Sequence, residues 1–421
     1  MLLGAVADDL TGATDLALML AREGMKTVQV VGTPPEGFDV GDAEAVVVAL
    51  KSRTIPAAEA VRLSLEAAHW LREGGARQII FKYCSTFDST PAGNIGQVAE
   101  ALMEALGASV TIACPAFPAN KRTVYRGHLF VGDLLLSDSP MKDHPLTPMR
   151  DANLVRVLKA QTRLPVGLVP REVVAEGPAA IRAAFEAAAS EGPRMLIVDA
   201  ITDGDLRAIG AAAEGLALIT GGSGIAIGLP ENFRAAGLIE GRGAPATLEA
   251  PAGRAVILAG SCSAATRRQV ASAIAAGIPA LKIDPLALAD GSETADGVVA
   301  FIEAAGDGPA LAYASDEPEA VAAAQARLGR EAAGAIVEHL FAEVAVKLRA
   351  RGYTRFLVAG GETSGAVVQA LGVAALEIGP EIDPGVPWTR SLGDEAGVAL
   401  ALKSGNFGTD DFFLKAWRLL A

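Results

Sequence analysis

Short runs rich in Val, Ile and Leu alternate with Ala-rich segments of helical period along the whole chain, and this alternation most constrains the fold. A parallel strand buried on both faces reads as a continuous apolar run, and two such neighbours need a crossover connection, usually a helix. Candidate strands lie at 2–7, 27–31, 45–50, 78–82, 110–113, 195–198 and 216–220, then at 255–259, 280–283, 310–314, 356–359, 375–378 and 398–402. The class expected is α/β: two α/β domains with mainly parallel sheets flanked by helices and a ligand cleft between them. The stretch GRGAPATLEAPAG at 241–253 has three Gly and two Pro in thirteen residues and no apolar period, so it is the candidate linker. A second irregular zone at 114–148 shows no clear periodicity. Loops that long inside a compact domain are usually functional.

Composition narrows the function. The chain has 421 residues, with 36 Lys and Arg against 49 Asp and Glu, a formal charge of −13. Nucleic-acid binding draws on basic side chains that neutralise phosphates, so no nucleic-acid partner is expected. With 51% apolar and 20% charged residues the chain can bury a large core. Cys84, Cys114 and Cys262 have no C-x-x-C spacing and suit a reducing compartment. The N-terminus meets two carboxylates within nine residues, unlike a signal peptide, and no apolar run is long and uncharged enough to span a bilayer. A cytoplasmic location without membrane association is the expectation, with a homo-oligomer left open.

In open α/β sheets ligands bind outside the carboxyl ends of the strands, so the polar residues that follow each strand matter most. The first strand runs into Asp8, Asp9, Thr11 and Gly12 before a helix. Two adjacent carboxylates and a hydroxyl could hold a polyol, orient a hydroxyl proton or ligate Mg²⁺, although Asp9, Thr11 and Thr14 could also simply cap the helix. Arg53 follows the third strand and Lys82 ends the fourth, ahead of Cys84, Thr86 and Asp88. Cations at strand ends suit a carboxylate or phosphate, Arg as a fork and Lys as a point charge. The first half thus looks built for a small, oxygen-rich anion.

The second half repeats a different theme. Gly260 to Thr266, with Ser261 and Ser263, follows a strand and opens a helix; Gly360, Gly361, Glu362 and Thr363 do the same; Ser404 and Gly405 close the last strand. Small side chains expose backbone N–H groups, and a helix N-terminus adds partial positive charge, so each loop suits a phosphate. Each alone could be a tight turn. Their coincidence in one domain points to a nucleotide. Gly-Lys is absent, which excludes the Walker A loop, and neither H-E-x-x-H nor a G-x-S-x-G elbow after a strand occurs.

Taken together, ADDLTGATD at 7–15, FKYCSTFDST at 81–90, GSCS at 260–263, AGGETSG at 359–365 and ALKSGNFG at 401–408 resemble the four-carbon acid sugar kinase family. PAFPANKRT at 115–123, LFVGD at 129–133 and PGVPW at 384–388 fit the same pattern, and the resemblance runs from Leu2 to Phe413. It implies an N-terminal sugar-acid-binding domain over 1–245 and a C-terminal nucleotide-binding domain over 250–421. It further implies ATP as cosubstrate, with Mg²⁺, and phosphorylation of the C4 hydroxyl of a 3-oxo-tetronate. Threonate or erythronate are the alternative substrates. On this resemblance Ser261, Ser263, Gly360, Gly361, Glu362, Thr363 and Gly405 contact ATP. Asp8 or Asp9 would take or orient the hydroxyl proton, Arg53 and Lys82 would fix the substrate carboxylate, and Thr11 and Asp88 complete the substrate residues; the metal ligands stay unassigned.

Two other readings remain open. A nicotinamide-dependent dehydrogenase could use the glycines at 221–228, but that pattern is not in the first βαβ unit and has no clear acidic ribose partner about twenty residues on. A non-catalytic sugar-acid sensor would share a two-lobed α/β architecture without needing three phosphate loops.

Overall fold

The computed structural model describes residues 1–144, 147–240, 248–306, 308–393 and 397–420. The chain divides into two compact units, Met1–Pro245 and Ala246–Ala421. Residues 241–247, most of the expected linker, lie outside the described residues.

The strands of the first unit are β1 (Leu3–Ala7), β2 (Thr27–Val31), β3 (Ala45–Ala49), β4 (Gln78–Lys82), β5 (Val110–Cys114), β6 (Arg122–Tyr125), β7 (His128–Val131), β8 (Leu134–Leu135), β9 (Val166–Val169), β10 (Arg194–Val198) and β11 (Leu218–Gly221). Its main sheet has the order β2-β3-β1-β4-β11-β5-β10-β9 with every pairing parallel. β1, β3 and β4 are buried at every position, as their unbroken apolar sequences require. The helix Leu10–Arg22 packs on β2 and β3, and the helix Ala57–Glu73 packs on β1.

The chain reaches β3 on one side of β1 and then β4 on the other. β1 is therefore the topological switch point, where neighbouring connections diverge and leave a crevice at the strand ends. Register makes this local: Ala7 of β1 pairs with Ala49 of β3 and with Lys82 of β4.

The zone at 114–148 is less irregular than its sequence suggests. It holds a small antiparallel sheet, β6-β7-β8, joined by tight turns. The strands are too short, two to four residues, to imprint a period on the sequence.

The glycines at 221–228 form a tightly packed turn. Residues 221–230 are all buried. A Cβ on Gly221 would meet the Cys114 carbonyl at 2.3 Å, one on Gly224 the Ala116 carbonyl at 2.5 Å, and one on Gly228 the Leu206 carbonyl at 2.7 Å. These glycines let backbones approach one another and present no open surface to a dinucleotide, which removes the basis for the dehydrogenase reading.

The second unit contains β12 (Arg254–Ala259), β13 (Ala280–Lys282), β14 (Ala310–Tyr313), β15 (Tyr353–Ala359), β16 (Ala375–Asp383), β17 (Val386–Leu392) and β18 (Ala399–Lys403). Its strands follow the order β13-β14-β12-β15-β18-β17-β16. Pairings from β13 to β18 are parallel, whereas β17 runs antiparallel to both β18 and β16. Trp388, Phe412 and Phe413 anchor the core beneath this antiparallel end, and Trp388 Nε1 donates to the Ala416 carbonyl at 2.8 Å.

Candidate active site

At the switch point of the first unit the backbone itself gathers the polar residues. Asp8 N donates to the Lys82 carbonyl at 3.0 Å, and Ser52 N and Arg53 N donate to the Asp8 carbonyl at 3.0 and 3.2 Å. Asn94 Nδ2 donates to the Ser52 carbonyl at 2.7 Å and so fixes the loop that carries Arg53.

Asp9 has extended backbone and caps the helix Leu10–Arg22, its Oδ1 accepting from Gly12 N at 3.1 Å. Its Oδ2 accepts from the Thr11 hydroxyl at 2.8 Å. Both the capping and the charge-cluster readings of Asp9 therefore hold at once. Gly12 has no room for a side chain, since a Cβ there would lie 1.9 Å from Lys82 Nζ.

Arg53 does not stand open to solvent as a simple anion fork. Its Nε and Nη2 donate to Asp8 Oδ2 and Oδ1 at 2.9 and 2.8 Å, and Nη2 also donates to Asp9 Oδ1 at 2.5 Å. Lys82 Nζ lies 3.7 Å from Asp9 Oδ1 and is almost fully buried. The two cations match the two carboxylates charge for charge.

Electrostatics separates the aspartates. Burial pushes the Asp8 carboxyl above its ordinary range despite the opposing pull of Arg53. Burial opposes ionisation of Asp9 too, but Arg53 and Lys82, with the Thr11 hydroxyl and Gly12 amide, hold it at about 2. Asp9 is also the more accessible, with 24% of its side chain exposed against 4% for Asp8.

Asp88 accepts from the Thr86 hydroxyl at 2.6 Å, and Thr86 Oγ1 sits 2.9 Å from Cys84 Sγ. Burial, with Asp88 adding to it, pushes the Cys84 thiol up to about 12, so the thiol is a neutral packing group. The six residues expected on the substrate side, Asp8, Asp9, Thr11, Arg53, Lys82 and Asp88, thus belong to the ends of β1, β3 and β4, the loops that follow, or, for Thr11, the first turn of the helix Leu10–Arg22.

In the second unit, register aligns three loops. Ala259 of β12 pairs with Ala359 of β15, which pairs in turn with Lys403 of β18. The segments beginning at Gly260, Gly360 and Ser404 leave the sheet side by side. Gly260 N and Ser261 N both donate to the Ala359 carbonyl, at 3.0 and 3.1 Å, and Gly360 N donates to the Lys403 carbonyl at 2.8 Å.

Gly360 adopts φ +129°, a conformation that L side chains rarely take, and precedes the helix Gly361–Ala370 without any side-chain cap. The first N–H groups of that helix lack intrahelical acceptors and carry its positive end. A Cβ on Gly405 would lie 2.6 Å from Ser261 Oγ, and one on Gly260 would lie 2.2 Å from Thr363 Oγ1. Glycine at both places lets the three loops close on one another.

Lys403 and Thr266 complete this cluster, and neither belongs to the residues expected from the glycine loops. The Gly405 carbonyl accepts from Ser263 Oγ at 2.5 Å, Thr266 Oγ1 at 3.0 Å and Lys403 Nζ at 2.9 Å. Lys403 is fully buried, and burial lowers its ammonium to about 7. A charged residue ending the apolar run ALALK was the available signal. Among the described residues no group of three or more His, Cys, Asp or Glu could hold a metal ion.

A parallel sheet with paired carboxylates and cations at its switch point is followed by a second sheet with three aligned glycine turns, one polar cluster in each of two domains. Two family models match accordingly, a sugar-binding N-terminal domain over residues 3–229 and a nucleotide-binding C-terminal domain over residues 256–413. A 3-oxo-tetronate kinase of Cupriavidus necator is 60% identical over 422 aligned positions, covering 100% of this chain and 97% of the relative. A 3-oxo-tetronate kinase of Burkholderia multivorans is 57% identical, again over 100% of this chain and 97% of the relative. Among solved structures, one described as the putative tRNA synthase from Salmonella typhimurium LT2 superposes with a TM-score of 0.85 at 43% identity, covering 99% of this chain and 98% of that one. The chain belongs to the four-carbon acid sugar kinase family, together with these 3-oxo-tetronate kinases. Among the described residues no helix is long and apolar enough to cross a membrane.

Proposed function

We propose that this chain is an ATP-dependent 3-oxo-tetronate kinase that phosphorylates the C4 hydroxyl of its substrate. The observation that carries the reading is full-length identity of 56–60% to relatives bearing that name. The polar clusters at the strand ends support it.

Phosphoryl transfer asks for alignment and charge stabilisation more than covalent help. The C4 oxygen forms a bond to the γ-phosphorus as the bond from that phosphorus to the β–γ bridging oxygen breaks; ADP leaves, and the proton of the C4 hydroxyl passes by way of Asp9 to solvent. Asp9, ionised and accessible, accepts the hydrogen bond of the C4 hydroxyl and orients its oxygen for attack. Arg53 and Lys82 hold Asp9 in that pose, with Asp8 as the second anchor of the Arg53 fork. Thr11 fixes the other Asp9 oxygen, and Asp88 lines the polyol site.

On the nucleotide side, the amides of Gly361, Glu362 and Thr363 face the phosphates at a helix N-terminus. Ser261, Ser263 and Gly405 shape the neighbouring walls. Mg²⁺ usually binds through one or two carboxylates plus the substrate's phosphates. The donor set fits that pattern, since Glu362 is an exposed carboxylate in the first turn of that helix. There the ion would neutralise charge on the phosphates.

The test is ADP release with a panel of four-carbon sugar acids, with and without the 3-oxo group. Turnover of a 3-oxo-tetronate is expected to exceed that of threonate and erythronate. Preference for either of the latter would move the substrate within the family, and no turnover on any acid would overturn the kinase reading.

A further inference from the structure

The neutral balance of the Asp8, Asp9, Arg53 and Lys82 cluster raises a question about the substrate's own charge. Arg53 is already bonded to both oxygens of Asp8 and to Asp9, so binding a carboxylate there would require breaking that fork. Adding a third anion to two balanced pairs, in a site this buried, gains nothing from the cluster's net charge. A further cation is needed.

Arg122 meets the need. It opens β6, one residue beyond the turn Pro118–Asn120, and its backbone is pinned to Phe117 in both directions, Phe117 N to the Arg122 carbonyl at 2.8 Å and Arg122 N to the Phe117 carbonyl at 3.0 Å. Its Nη1 folds back onto the Asn120 carbonyl. Its Nε is buried and has no hydrogen-bond acceptor, and the Asn120 side-chain Nδ2 is likewise buried without one. Among the described residues, no carboxylate lies within ion-pair distance of the Arg122 guanidinium.

The guanidinium is nonetheless close enough to interact electrostatically with Cys84 and Asp88, both on the loop that follows β4 and Lys82. Burial without a paired anion lowers its pKa, the opposite of what the paired Arg53 shows. A buried donor left without an acceptor is costly, more so when charged, so two of them two residues apart mark a place that an acceptor completes.

We propose that Asn120 and Arg122 together bind the carboxylate of the sugar-acid substrate, so that Arg122 is the residue that makes this protein specific for an acid. The proposal rests on the kinase reading and assigns it a separate set of atoms. One half of the first unit then positions the reacting hydroxyl, through Asp9, and the turn before β6 reads the opposite, charged end. The guanidinium fork matches a carboxylate's two oxygens, and the Asn120 amide adds a neutral donor.

The experiment compares two substrates of the full-length protein, a 3-oxo-tetronate and the neutral four-carbon ketose in which a hydroxymethyl replaces the carboxylate, by ADP release with ATP saturating. Wild type is expected to favour the acid strongly. Arg122→Met is expected to raise KM for the acid about 10- to 100-fold, the range of a charge-assisted hydrogen bond, while KM for the ketose and for ATP stay within about twofold. Asn120→Ala is expected to shift the same preference in the same direction by a smaller factor, and it carries the test should Arg122→Met fail to fold. Failure of wild type on every acid would sink the kinase reading itself. An active wild type whose variants keep the full preference for acid over ketose would overturn only the assignment of Asn120 and Arg122.

Discussion

At the scale of single residues, the chemistry turns on which partner each charge has already taken. Asp9 is a hydrogen-bond hub whose carboxylate remains ionised down to about pH 2, so it needs no deprotonation to orient a hydroxyl at neutral pH. Asp9→Asn keeps the shape and removes the charge, and kcat is expected to fall by roughly 10²–10⁴, the usual worth of a positioned acid–base group, with KM for ATP nearly unchanged. A variant with near-normal kcat at saturating ATP and substrate would remove Asp9 from the reaction. Arg53 and Lys82 were legible as cations at strand ends, but their commitment to the aspartates was not, because ion pairing depends on distances across β3, β1 and β4 rather than on spacing along the chain.

Lys403 makes the same point with a pH signature. Its ammonium is buried against the Thr266 hydroxyl and the Ser404 and Gly405 carbonyls, and its pKa falls from 10.5 to about 7. Between those two values the unfolded chain binds a proton that the folded chain has released, so unfolding free energy rises with pH in that window. The charged form is penalised below about pH 7, and that penalty is relieved as pH climbs toward 10.5. The stability difference between wild type and Lys403→Met should therefore shift in favour of wild type from pH 7 to pH 9, by at most about 1.4 kcal/mol per pH unit. Thermal unfolding at three pH values reads it, and a difference flat with pH would show that Lys403 keeps an ordinary pKa.

At the scale of elements, the sites are the work of strand register and glycine. β12, β15 and β18 end at the same level, so residues a hundred positions apart become neighbours without any long loop. Gly360 resists replacement on two counts. Its φ of +129° is unfavourable for any L side chain, and a Cβ would sit 3.0 Å from Thr363 Oγ1 and 3.2 Å from Ser261 N. Gly360→Ala is expected to raise KM for ATP at least about tenfold and to destabilise the protein by about 1–2 kcal/mol, since both the turn and the helix entrance must shift. Initial rates at varied ATP check the first and thermal unfolding the second; wild-type values for both would show that the turn tolerates a side chain.

Elements were legible in proportion to their length and burial. All thirteen strands expected from apolar runs exist, with ends displaced by a few residues. Those not expected were β6, β7 and β8, β9 and β17. β6 to β8 run for only two to four residues and β9 for four, with a glycine at its second position, so none is long enough to stand out as a strand. β17 begins at Val386 and Pro387, just past the turn at Gly385, where proline and glycine argue locally for a loop; antiparallel pairing with β16 and β18 overrides that signal.

At the scale of the whole molecule, each unit keeps one kind of chemistry. The first gathers carboxylates, cations and hydroxyls at the switch point of an all-parallel sheet. The second gathers backbone amides and small side chains at three aligned strand ends. The sequence by itself determined the α/β class, the positions of most strands, the polar residues after each and, through its motifs, the family. Those properties are local: they follow from apolar runs, helical period and glycine placement, which a linear reading can see. Only the tertiary structure decided which charges cancel, that Arg122 keeps a buried donor without an acceptor, that Lys403 is buried, and that the glycines at 221–228 are packing rather than a binding loop. Sheet order departs from chain order, so the partner of each strand end, and with it the net charge of the site, is set by which distant strands pair.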